Sequence, residues 1–181
     1  NAEGLIVFPG GIDPHTHLDM PFMGTKSADD FVTGTRAALF GGTTTLIDYA
    51  IQSRGFGMTT AYHTWMEKAA GKALSDYGFH MCITDFNDTV KQELPTFINE
   101  YGITSFKTFM AYKGALMIDD RQMVELMTEI NKLEGIVCVH ATNGDLIDQL
   151  VSKHRNEGKF APIYHYLSQP EITEEEASGR F

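Results

Sequence analysis

The 181 residues are 43% hydrophobic and 21% charged, enough apolar material to bury a core, which excludes a disordered chain. Lys and Arg total 14 against 24 Asp and Glu, and the formal net charge of −10 would repel phosphate backbones and anionic lipid, so neither nucleic acid nor a membrane surface is an expected partner. No apolar run nears the roughly 20 residues that span a bilayer, and no basic segment followed by an apolar leader opens the chain.

In chain order the pattern predicts a strand over 5–12, a helix over 28–40, a strand over 43–49, a helix over 59–74 and a strand over 77–84. A helix over 90–100, a strand over 104–110, a helix over 120–133, a strand over 136–140 and a helix over 144–156 follow. The strands are nearly continuous in apolar, β-branched character, as parallel strands buried on both faces should be. Gly41-Gly42 and Gly135 supply helix stops. Beyond Pro170 the acidic run 171–176 reads as a further helix with a solvated face. Alternating βα units point to an α/β fold around a parallel sheet. No repeat, low-complexity tract or linker divides the chain, so residues 1–181 are expected to form a single domain. A closed (β/α) barrel takes about 250 residues, so five βα units are expected to be part of a barrel. Cys82 and Cys138 lie inside strand-like segments, which suits reduced thiols and a cytoplasmic location.

Pro9-Gly-Gly-Ile-Asp-Pro-His15-Thr-His17 ends an apolar strand in two histidines one residue apart. Residues i and i+2 of a strand share a face, so His15 and His17 can place two imidazoles on one metal at about 2.0–2.1 Å. The alternative is a polar strand end satisfied by hydrogen bonds and water. Ile136-Val-Cys-Val-His140 is likewise a strand closed by a histidine, and Ser105-Phe-Lys107-Thr-Phe-Met puts a lysine inside a buried strand. A buried lysine is paired or modified. For Lys107 the choices are an ion pair with Asp48 or Asp85, or carboxylation of the amine by carbon dioxide, which makes it an anionic bridge for two metals. Catalytic groups of parallel α/β barrels gather at the C-terminal strand ends, and all four residues fall near such ends.

These segments, together with Ser27-Ala-Asp-Asp-Phe31, Ala37-Ala-Leu-Phe-Gly-Gly-Thr43, Ser105-Phe-Lys-Thr-Phe-Met-Ala-Tyr-Lys113 and Val139-His-Ala-Thr-Asn-Gly-Asp145, resemble the dihydropyrimidinase and hydantoinase family of the amidohydrolase superfamily. The likeness runs from about residue 5 to 177. It implies a partial (β/α) TIM barrel of the metal-dependent hydrolase type, in cytoplasmic homo-oligomers that are tetramers in this family. It also implies two divalent metals, usually zinc, with His15 and His17 on one, carboxylated Lys107 bridging and His140 on the second. In such enzymes hydroxide held between the metals attacks a ring amide carbonyl, two metals about 3.5–4 Å apart holding nucleophile and oxyanion together. Tyr112 matches the family tyrosine that donates its phenol hydrogen to the oxyanion; its other role would be that of an ordinary half-buried loop aromatic.

Dihydroorotases resemble this family but carry an arginine two residues past their histidine pair, where it grips a substrate carboxylate. Asp19 stands in that place here and would repel such an anion, so a neutral cyclic ureide or imide is expected. Met20, Phe22 and Phe109 match family positions that cover the ring substituent, and Leu116 is grouped with them. Two further family ligands, a histidine ending strand six and an aspartate ending strand eight that is also the general base, have no counterpart among the expected strands; His63, His80, His154 and His165 are poor substitutes. The isolated 181 residues are therefore expected to be inactive. Thr142 replaces the glutamate that usually precedes Asn-Gly, next to His140. A noncatalytic scaffold like the collapsin response mediator proteins, and a half-barrel assembly module with open strand edges, are the competing readings; the retained ligand set argues against the first of these two.

Overall fold

A computed structural model describes residues 1–22 and 24–181. Its elements, in order, are β1 (Gly11–Thr16), β2 (Pro21–Phe22), β3 (Thr25–Lys26), α1 (Phe31–Phe40), β4 (Thr43–Ile51), α2 (Met58–Ala69) and β5 (Asp76–Cys82). There follow α3 (Asp88–Asn99), β6 (Ser105–Phe109), α4 (Asp120–Lys132), β7 (Ile136–His140), α5 (Gly144–Asn156), α6 (Ile163–Leu167) and α7 (Ile172–Arg180). The expected alternation of strand and helix runs from α1 to α5. Two compact units divide the chain: residues 1–50 with 61–80, and residues 51–60 with 81–181.

In the first unit β1 pairs in parallel with β4, Ile12 opposite Thr45 and Thr16 opposite Asp48, with two register shifts along the ladder; β4 in turn neighbours β5. The sequence pattern predicts the first strand over 5–12, and the observed one starts at Gly11. Leu5, Ile6, Val7 and Phe8 are 70–83% exposed and outside any strand, because apolar character builds a strand only where a neighbour supplies the ladder. The hairpin of β2 and β3 was not expected, since two-residue strands carry no period. Asp30 caps α1, its carboxylate accepting from the Val32 and Thr33 amides while the Thr33 hydroxyl accepts from the Asp30 amide. Gly41 caps the other end, and Gly42 follows at φ 86°, a conformation that suits glycine. Phe31, Leu46, Tyr49, Trp65 and Phe79 form the buried core.

In the second unit the end of β5 pairs in parallel with β6, and β6 with β7 over five consecutive residues without a shift. Asn87, Asp119 and Asn143 cap α3, α4 and α5, each accepting from a first-turn amide. Met81, Ile83, Leu94, Phe97, Phe106, Leu126 and Ile130 are 0–1% exposed and make the core. β7 and α5 occur with the expected bounds. The acidic helix begins at Ile172 and runs to Arg180; α6 is an addition.

Candidate active site

In the first unit His15 lies on β1 and His17 one residue beyond it, as the alternation of strand side chains requires. Their ring centroids are 5.2 Å apart with planes at 80°. Both rings rest against Tyr49 of β4, at 4.8 and 5.0 Å, and on the same phenol His80 of β5 sits at 4.8 Å. The His80 Nε2 is 2.9 Å from the Pro14 carbonyl oxygen. Asp48 anchors the segment from beneath. One carboxylate oxygen accepts from the Leu18 amide at 2.7 Å and the Thr16 hydroxyl at 3.1 Å; the other accepts from the Tyr49 amide at 2.7 Å and the Trp65 indole at 3.1 Å. Burial pushes the Asp48 carboxyl above its ordinary range, and those four bonds oppose the shift.

The chain after His17 is held by charges. Asp19 adopts φ 47°; its carbonyl accepts from the Lys68 ammonium at 2.6 Å and its carboxylate lies 3.5 Å from that of Lys26. The negative charge expected at Asp19 is thus shared with Lys26. Met20 exchanges hydrogen bonds with Ser27, and Phe22 pairs with Thr25 in the hairpin.

In the second unit the unbroken register sets Cys82 opposite Lys107, Lys107 opposite Cys138, and Phe109 opposite His140. In-register neighbours and residues two apart share a face, so Cys82, Lys107, Cys138, Phe109 and His140 form one patch. Lys107 is 8% exposed with its ammonium 5.4 Å from the Phe109 ring centroid. Burial holds its pKa below the ordinary lysine range, opposed by Cys82 and Cys138, and this favours the neutral amine that carboxylation consumes. The two carboxylates proposed as ion-pair partners are engaged elsewhere: Asp48 as above, Asp85 with the Gly55 amide, Asn87 and Gln122.

Tyr112 stands beside His140, ring centroids 5.4 Å apart, with Phe109 completing a triangle at 5.7 Å from His140 and 5.9 Å from Tyr112. Its φ is 64°, a strained setting for a bulky residue of the kind that clusters at functional sites. The strain is held by three amides, of Ala115, Leu116 and Met117, that donate to the Tyr112 carbonyl at 3.0–3.2 Å, and by the ion pair of the next residue, Lys113, with Asp145. Leu116 is half-buried on this loop. Gly144 donates to the Met110 carbonyl at 3.1 Å, and a Cβ there would lie 2.9 Å from that oxygen and from the Ala111 Cα. The Thr142 amide donates a hydrogen bond to the His140 carbonyl at 3.2 Å, but its buried hydroxyl has no hydrogen-bond partner among the described residues, where a glutamate would reach further.

Among the described residues no group of three or more His, Cys, Asp or Glu side chains is gathered to hold a metal ion. In chemical type the donors within each unit suit divalent metals: an imidazole pair in the first, and in the second a buried lysine and an imidazole on one face. His154 is taken by Ser168 at 2.9 Å and His165 lies 3.0 Å from Gln169, so neither is drawn into this set. Sequence reasoning missed Tyr49, because only the β1–β4 register reveals that it lies under both histidines.

The amidohydrolase family model matches residues 6–167. The chain belongs to the amidohydrolase family. It is 52% identical over 180 residues to a D-hydantoinase of Geobacillus stearothermophilus, covering 99% of this chain and 38% of the relative. It is 44% identical to a dihydropyrimidinase of Rattus norvegicus, covering 99% and 35%. The solved dihydropyrimidinase of Brevibacillus agri superposes with a TM-score of 0.93 at 51% identity, over 95% of this chain and 37% of that one. This amidohydrolase chain thus spans little more than a third of the length of these relatives. The α/β reading, with its βα units of the TIM-barrel type, is borne out by that superposition.

Proposed function

We propose that the protein carrying this chain hydrolyses the amide of a neutral cyclic ureide or imide, a dihydropyrimidine or hydantoin ring, opening it to an N-carbamoyl amino acid. The observation that carries the reading is the presence of His15, His17, Lys107 and His140, on or just beyond parallel strands, in a chain 44–52% identical to relatives named D-hydantoinase and dihydropyrimidinase. His15 and His17 would hold one divalent cation, His140 a second, and carboxylated Lys107 would bridge them; zinc is the metal we propose. Such a pair, when bound, would supply a nucleophile at neutral pH and polarise the ring carbonyl.

The chain's own residues account for the rest. The Tyr112 hydroxyl donates to the oxygen on which charge develops, and the strained, three-amide turn holds it in place. Met20, Phe22, Phe109 and Leu116 are the residues we propose to cover the ring substituent. Asp19, even shared with Lys26, offers a substrate carboxylate no cationic grip, which favours an uncharged ring. The 181 residues alone are proposed to be inactive, since three imidazoles and one lysine fill only part of a two-metal ligand set and no general base is identified among them.

The placement of Cys82 and Cys138 inside separate strands suits reduced thiols and supports a cytoplasmic setting, and no helix of the described residues is long and apolar enough to cross a membrane. Exposed apolar residues such as Phe40, Phe160 and Tyr166, at 72–90%, support assembly as a homo-oligomer. Assay of the full-length protein against dihydrouracil, hydantoin and dihydroorotate tests the reading. Turnover of the first two is expected, and preference for dihydroorotate would overturn it.

A further inference from the structure

We infer that Tyr49 and His80 are positioning residues for the histidine pair, acting through their rings to fix the direction in which His15 and His17 present their nitrogens. The inference rests on the reading of His15 and His17 as metal ligands. An isolated strand-end histidine turns about its side-chain bonds, and a metal must then order it on binding. Here the freedom is removed beforehand. The Tyr49 ring is only 4% exposed, and the backbone register beneath it is set by Thr16 opposite Asp48. From that fixed seat it touches both imidazoles, at 4.8 and 5.0 Å, with tilted planes of 56° and 30°, while the imidazoles meet edge to face, a favourable arrangement for rings that carry opposed edge and face charge.

His80 closes the arrangement from β5. Its ring lies 4.8 Å from the same phenol at 35°, and its Nε2 is 2.9 Å from the carbonyl oxygen of Pro14, the residue preceding His15. The pair therefore grips the histidine segment twice, by ring contact on the side chains and by a hydrogen bond on the backbone. Gly11 through His15 are exposed, as is His17, so burial does not fix the rings. All four rings belong to the first unit.

The test compares Tyr49→Phe, Tyr49→Leu and His80→Leu in the full-length protein, reading zinc affinity by chelator competition, thermal midpoint, and kcat and KM separately. Tyr49→Phe keeps the ring and should hold affinity within about twofold. Tyr49→Leu should weaken it by about 10–100-fold, the effect usual for partners that orient metal ligands, and lower kcat with KM little changed. His80→Leu, at a half-buried position, should weaken affinity several-fold without unfolding the chain, and it decides the matter if Tyr49→Leu does not fold. A folded Tyr49→Leu or His80→Leu protein that binds zinc as the parent does would overturn the inference. A His15→Ala protein that binds zinc as the parent does would instead overturn the ligand assignment on which it rests.

Discussion

β1 with the residue that follows it, and β6, carry the groups proposed as metal ligands, yet they hold them by different physics. On β6 four of five residues are buried and the register to β7 is unbroken, so Lys107 is fixed by packing on both sides of its strand. On β1 every residue but the last is exposed and the register to β4 shifts twice, so His15 and His17 are fixed by discrete partners, the Asp48 carboxylate and the Tyr49 and His80 rings. A packed strand tolerates loss of any one neighbour better than a clamped one does. It is less tolerant of change in the buried group itself.

The largest effect expected from this contrast is at Lys107. Lys107→Ala would remove the bridge proposed above and should abolish metal retention, measured as metal per chain, with activity at background; short carboxylic acids should restore part of it. Next comes Tyr112→Phe, which keeps the ring against His140 but deletes the donor. It should lower kcat by about 10²–10³-fold with metal content unchanged.

Asp48→Asn tests the clamped side. An amide nitrogen would face two of the four donors that the carboxylate now accepts, at a cost of about 2–3 kcal/mol in urea unfolding, together with weaker zinc binding at His15 and His17. On the packed side, Gly144→Ala drives a methyl into the Met110 and Ala111 backbone and should cost about 1–3 kcal/mol, displacing the Tyr112 loop.

The smallest effect is in pH. The Asp48 carboxyl sits above its ordinary 3.8 through burial, so the folded state takes up its proton before the unfolded state does. Its contribution to stability therefore falls as pH rises from 3.8 through the raised value and is regained as pH falls through that window. The stability advantage of the parent over Asp48→Asn should accordingly grow on acidification there, measured by urea unfolding at a series of pH values; an advantage that shrinks would place the carboxyl in a different environment.

The legible parts of the sequence were those where local pattern and tertiary environment agree. Ile136–His140 is a continuous apolar run beside a paired neighbour, and Gly144–Asn156 opens on an Asn cap; both were bounded correctly. Residues 5–8 have the same apolar character but gain no ladder, so the expected strand moved to Gly11–Thr16. The hairpin at Pro21–Phe22 and Thr25–Lys26 is too short to show a period. At the site, a histidine pair and a lysine in an apolar strand announce themselves by residue type. Tyr49 does not, because a tyrosine in a buried strand reads as core until the β1–β4 register is known. The row of Cys82, Lys107 and Cys138 is hidden for the same reason, its members lying on three strands.

We propose that Lys107 is a carboxylated bridge in a two-metal centre. The direct test is to prepare the full-length protein with zinc and ¹³C-bicarbonate, count metal per chain, and look for a lysine carbamate carbon by NMR, in the parent and in Lys107→Ala. About two zinc ions per chain and a carbamate signal that vanishes in the variant are expected. A parent with no carbamate, or a Lys107→Ala protein that still holds its full complement of zinc, would contradict the account.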